Sequence, residues 1–75
     1  MRLSELSEGQ KAVVRSIDSP REVRGRLMDL GIIPGSEVAL VRHLALSRGV
    51  QIMVRRARLV LRQSLADLID VQVKV

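Results

Sequence analysis

Apolar and polar positions change period several times along this chain, and each change marks an element. Leu3-Ser4-Glu5-Leu6 fits a single helical turn that lays two leucines on the body of the protein. Gly9 opens a first strand over residues 10–17, with Val13 and Ile17 expected on one face and Lys11 and Arg15 on the other. Ser19-Pro20-Arg21-Glu22 then reads as a helix start, Ser19 capping, Pro20 in the first helical position and Glu22 closing a capping box. Val23, Leu27 and Leu30 follow at i, i+4 and i+7 and form one apolar stripe, with Arg21, Arg24 and Asp29 pointing elsewhere. Gly25 inside the helix costs about 1 kcal/mol against alanine, which suggests either a close backbone approach there or mere tolerance.

The segment LGIIPG, residues 30–35, should stop this helix and reverse the chain at once. Gly31 can take the left-handed conformation that satisfies the last helical carbonyls, which lets Ile32 pack back on Leu27. Pro34-Gly35 suits the central pair of a type II turn, proline fixing φ and glycine accepting a positive one. Residues 38–43 are nearly apolar on both faces, as in a strand covered on each side. Val50, Ile52 and Val54 alternate with Gln51, Met53 and Arg55, and Leu59 and Leu61 alternate with Arg58, Val60 and Arg62. Arg55-Arg56-Ala57 joins the last two strands as a hairpin without the usual Gly or Asn. Ser64 with Asp67 caps a short helix carrying Leu65, Leu68 and Ile69, and residues 70–75 form a final strand with three valines inward. The result is mostly β: a small five-stranded, partly open barrel, with one helix inserted after the first strand and a short helix before the last. Residues 1–75 make a single domain, with no repeat, linker or low-complexity stretch.

Composition narrows the chemistry. The 75 residues are 47% hydrophobic without one aromatic, so the core must be aliphatic. There is no cysteine, which excludes disulfides and thiolate metal sites and makes a reducing cytosol the expected setting. The N-terminal ten residues carry charge and no apolar core, unlike a signal peptide, and the longest apolar run, 38–41, is far too short to span a membrane.

A net charge of +5, carried mainly by arginine, favours acidic protein surfaces, anionic headgroups or nucleic acid without choosing among them. With no ring for bases to stack on, single-stranded nucleic acid is disfavoured. Duplex binding lacks a reading helix or motif. Arg48, Arg55, Arg56, Arg58 and Arg62 read either as a solvated strand face or as a basic patch for an acidic protein or the inner leaflet. His43 is the sole histidine, so a resident metal is not expected, and none of the carboxylates converge as hydrolytic chemistry needs. No phosphate-cradling glycine loop is present. The chain therefore reads as a binding module rather than an enzyme, with no cofactor.

The order and spacing of Leu3-Ser4-Glu5-Leu6, Gly9, Ile17, Arg26-Leu27, Leu30-Gly31, Pro34-Gly35, Val38, Val60-Leu61-Arg62, Ala66, Ile69 and Val71 resemble the FeoA family over essentially the whole chain. The resemblance implies an SH3-like barrel and a cytoplasmic role in ferrous iron uptake, through contact with the cytoplasmic part of the transporter FeoB. Related domains are fused to iron- or manganese-dependent repressors; without a helix-turn-helix, the free-standing transport form is expected here. LGIIPG has two readings at this stage, structural punctuation and part of a docking face, and both can hold. On the second, Arg26, Asp29, Ile32 and Ile33 are the contact candidates, with Arg58 and Arg62 assisting, while Leu27 and Leu30 belong to the core. Two other readings stay open: a small basic barrel that binds nucleic acid or another acidic partner, and a homo-oligomer formed through an exposed edge, the C-terminal valine strand first.

Overall fold

The computed structural model describes residues 1–46 and 48–74. Five antiparallel strands form one sheet in the order β4-β3-β2-β1-β5: β1 Lys11–Ile17, β2 Glu37–Leu44, β3 Gly49–Val54, β4 Ala57–Arg62 and β5 Ile69–Val73. Helix α1, Arg21–Asp29, lies between β1 and β2, and α2, Gln63–Ala66, precedes β5. A 3-10 turn at Leu3–Glu5 opens the chain. β4 and β5 are the two edges and do not pair with each other, so the mostly-β barrel is partly open, as its pattern predicts.

The concave face closes on aliphatic side chains alone. Leu3, Leu6, Ala12, Val14, Leu40, Val50, Ile52, Val54, Ile69 and Val71 are essentially inaccessible, and no polar side chain is buried with them among the described residues. On β3 the expected alternation holds without exception, Val50, Ile52 and Val54 inward and Gln51 and Met53 half-buried. β2 differs from its expectation. It is covered on one side: Val38 and Leu40 are buried, whereas Ala39 and Val41 stay half-exposed.

β1 departs further. Ala12 and Val14 face the core, not Val13, and a register shift between Val14 and Ser16 returns Ile17 to the inside. Residues 11, 13, 15 and 17 share one parity, so only a bulge can separate Ile17 from Lys11 and Arg15. A second shift, between Leu40 and Arg42, re-aims β2 so that Arg42 lies opposite Gln51 and His43 opposite Val50.

The helix is shorter and differently capped than its sequence suggests. Pro20 occupies the N-cap, its carbonyl accepting from Arg24 N–H at 3.0 Å, and Ser19 bonds only the Pro20 carbonyl. Ser19 is thus one residue too early to cap, and the capping box with Glu22 does not form. Leu27 is buried and Val23 partly so, but Leu30 is 47% exposed. Leu30 is the C-cap, still αR and still donating to Arg26 O, yet its side chain stays outside the core. Gly25 faces open space, with nothing near enough to explain a glycine by close approach.

The stop itself is a Schellman motif. Gly31, at φ +95°, donates to Met28 O at 2.9 Å, and Ile32 N–H donates to Leu27 O at 3.0 Å. Ile32 is fully buried beside Leu27 in the core. Ser36 N–H then donates to Ile33 O at 2.9 Å around Pro34-Gly35, with Gly35 at φ +93°, as the type II turn requires. The β3–β4 hairpin pairs Val54 with Ala57, leaving a two-residue turn in which Arg55 and Arg56 both take positive φ, 49° and 66°. That is the backbone of a type I′ turn, held here by two arginines rather than by Asn-Gly.

α2 also deviates. Arg62 is its N-cap with no side-chain bond, Asp67 lies at its C-terminal end bonded by the Ser4 hydroxyl, and Ile69 already belongs to β5. In β5, Val71 is buried and Val73 partly so, while the third valine, Val75, lies outside the described residues. Nor is β5 a bare edge: Val71 N–H donates to Met1 O at 2.7 Å, and Arg2 bridges Asp70.

Two predictions follow from this backbone and its ion pairs. Arg56→Gly removes the penalty of a left-handed side-chain-bearing residue, so it should stabilise the protein by about 0.5–1 kcal/mol and raise the midpoint of thermal unfolding. An unchanged or lowered midpoint would show that the turn carries no such penalty. Lys74 Nζ, at 2.7 Å, donates to Glu37 and holds its carboxyl below its ordinary value of 4.5, with Lys11 adding a smaller pull the same way. A depressed carboxyl stabilises the fold above its unfolded value, and that stabilisation is lost as pH falls through the folded one. Thermal unfolding of Glu37→Gln should therefore lose less between pH 5.5 and 3 than the parent chain, the difference vanishing if the pair contributes nothing.

Candidate functional site

Around the reversal, backbone demands and surface chemistry fall on different residues. Gly31, Pro34 and Gly35 set the path, and Ile32 is inside. What remains outside is Arg26 and Asp29 on the last turn of α1, Met28 at 40% exposure, Leu30 at 47% and a half-buried Ile33. No ion pair among the described residues engages Arg26 or Asp29. Exposed apolar side chains and charges of both signs thus surround the reversal, with Met28 and Leu30 on different sides of the last helical turn. Ser36 fixes its far end, accepting from Ile33 N–H at 3.2 Å and donating to Ile33 O at 2.7 Å.

Ile32, expected among the contact residues, is removed from that set by its burial: a side chain with no accessible surface has nothing to offer a partner. Leu30 makes the opposite move, from expected core to exposed surface, and Met28 joins it.

Arg58 and Arg62 sit elsewhere, on edge strand β4, and both are exposed. The link to the helix end is the hairpin tip. A Cβ built on Gly31 would come 3.2 Å from Arg55 Cδ and 3.5 Å from Val54 Cγ1, so the Arg55 stem lies directly over the helix stop. Arg48, Arg62, Gln63, Ser64 and Asp67 line a shallow depression where β4 passes into α2.

His43 has a structural partner: its Nε2 lies 2.8 Å from Leu6 O, a carbonyl that can only accept, so the proton is on Nε2. This bond ties β2 to the chain behind the first 3-10 turn. Among the described residues, no three of His, Cys, Asp and Glu gather as a metal site would need. Among the described residues no helix is long and apolar enough to cross a membrane.

The comparisons with known proteins agree with this architecture. The FeoA domain model matches residues 1–73. FeoA from Chlorobium tepidum, solved by NMR, is 33% identical, superposes with a TM-score of 0.92 and covers 100% of this chain and 71% of its own. The zinc complex of Stenotrophomonas maltophilia FeoA, described as an SH3 domain protein, is 32% identical with a TM-score of 0.82, covering 96% of this chain and 89% of its own. A manganese-dependent transcriptional repressor aligns at a TM-score of 0.86 over 100% of this chain and 41% of its own, but at 17% identity it shares the fold alone. No curated protein matches the sequence. The five-stranded sheet is SH3-like, and the chain belongs to the FeoA family.

Proposed function

We propose that this chain is a non-enzymatic accessory protein of ferrous iron uptake that binds the cytoplasmic part of a FeoB-type transporter. Family membership supports the pathway, and the Stenotrophomonas maltophilia relative is itself described as a proposed ferrous iron transport activating factor. The observation that carries the binding mode is the exposed Leu30 at a reversal whose backbone the Schellman and type II bonds fix. A preorganised apolar anchor loses little conformational freedom on docking.

In this reading Leu30 and Ile33 supply the buried contact, Arg26 and Asp29 set its orientation, and Arg58 and Arg62 assist from β4. Recruitment to the inner membrane then comes through the transporter, since no helix among the described residues could span it. The protein works by association, with no bound cofactor of its own.

Capture on the immobilised cytoplasmic region of the cognate transporter tests this. The parent chain should be retained, and Leu30→Ala should weaken retention about tenfold, as an anchor at the centre of an interface does. Its unfolding free energy should stay within about 0.5 kcal/mol, because Leu30 is a surface residue in the free protein. Ile33→Ala should weaken retention with a modest loss of stability. No retention of the parent chain, together with normal ferrous uptake in a deletion strain, would overturn the proposal.

A further inference from the structure

The charge of this protein is segregated along its fold. Residues 38–62, which are β2 beyond its first residue together with β3 and β4, contain six arginines and no Asp or Glu. The other fifty residues hold seven Lys and Arg against eight acids, so the whole excess of positive charge lies on this three-stranded half. The ion pairs follow the same division. Met1–Asp70, Arg2–Asp18, Arg15–Asp70 and Lys74–Glu37 all lie in the other half, and none of the six arginines joins a salt bridge among the described residues.

The same half ends in the open edge of the sheet. Val54 and Ala57 close the two-residue hairpin, so Ala57, Leu59 and Leu61 exchange backbone bonds with β3. Gln63 N–H continues that parity by donating to Arg48 O at 2.9 Å. The N–H groups of Arg58, Val60 and Arg62 therefore point away from the sheet, as do the carbonyls of Arg58 and Val60, and no described group bonds them. The Arg62 carbonyl, at the N-cap of α2, is taken by the helix. β5, the other edge, is covered by Met1 and Arg2.

The side chains of these three residues share the outer face of the sheet. Arg58 continues the row of Lys11, Ala39 and Met53, and Val60 continues that of Arg42 and Gln51. Val60 is 62% exposed, an apolar side chain between two arginines on an unpaired edge. We propose that β4 is a strand-addition site for an extended acidic polypeptide segment with alternating side chains: acid opposite Arg58 and Arg62, apolar opposite Val60. Main-chain bonds to the free amides supply the ladder, and cross-strand carboxylate–arginine pairs supply selectivity. Asp67, beside Arg48 and Arg62, is already engaged by the Ser4 hydroxyl.

Charge decides against the alternative occupants. A second copy of this edge would bring Arg58 and Arg62 against their own kind, a repulsion that protects an otherwise open strand. Nucleic acid would use the arginines but leaves the unpaired backbone ladder and Val60 unanswered. The inference shares Arg58 and Arg62 with the transporter reading but does not rest on it, because its ladder is the free backbone of β4 and not the end of α1.

The test uses the full chain and a blocked seven-residue peptide, Thr-Glu-Thr-Val-Thr-Glu-Thr, followed by NMR amide exchange. Binding should slow exchange at Arg58, Val60 and Arg62 and weaken as salt rises. The lysine-for-glutamate peptide should not bind. Val60→Pro, which removes one outward N–H at an edge position that tolerates proline, should weaken binding about tenfold while leaving the fold intact. The double change Arg58→Glu with Arg62→Glu should exchange the preference between the two peptides, which a variant that merely misfolds cannot do. The proposal fails if the three amides exchange as fast with peptide as without, or if the charge-swapped protein keeps the original preference. It fails equally if a duplex oligonucleotide protects the same amides more strongly than the peptide does.

Discussion

The bond from Ile32 N–H to Leu27 O is the constraint on which the rest of this structure depends. It closes α1, turns the chain towards β2 and draws Ile32 into a core that has no aromatic side chain to fill space. In such a core every aliphatic residue counts, since a lost branched side chain leaves a cavity that its neighbours close only in part. Gly31 is needed there twice over. Its φ of +95° is one that side-chain-bearing residues rarely adopt, and a Cβ there would crowd the Arg55 stem at 3.2 Å. One reversal thus joins helix, hairpin tip and core.

The consequence is a separation of duties within six consecutive residues. Gly31, Ile32, Pro34 and Gly35 answer to the backbone and the core, and Leu30 and Ile33 are left to the surface. The same separation appears in the electrostatics on a larger scale. Carboxylates and their ion pairs gather around the termini, β1, β5 and the start of β2, while the three-stranded half carries arginines with no intramolecular partner among the described residues. Charge left uncompensated on an open sheet edge discourages self-pairing and favours acidic partners.

Much of this fold is legible in the sequence because local chemistry and tertiary need coincide there. Gly31 and Gly35 can take the positive φ that these turns need and Pro34 fixes its own, and the alternation of β3 is uninterrupted. Where the reading goes wrong, the cause is a backbone event without a residue signature. The bulges at Val14/Ser16 and Leu40/Arg42 shift a face without any Gly or Pro to announce them. The Arg55-Arg56 turn adopts a glycine-type backbone that its residues do not favour. Leu30 is misplaced because helical phase tells which side a residue takes but not how far the core reaches along the helix. The covering of β5 by Met1 and Arg2 joins residues far apart in the chain, which no local pattern encodes.

Native-state amide exchange on the free protein tests the central division most directly, because it reads backbone burial residue by residue. The account predicts that Ile32 N–H exchanges as slowly as the β3 core amides, through global unfolding, while Val60 N–H exchanges at nearly the unprotected rate. Fast local exchange at Ile32, or strong protection of Val60 in the unliganded monomer, would contradict it.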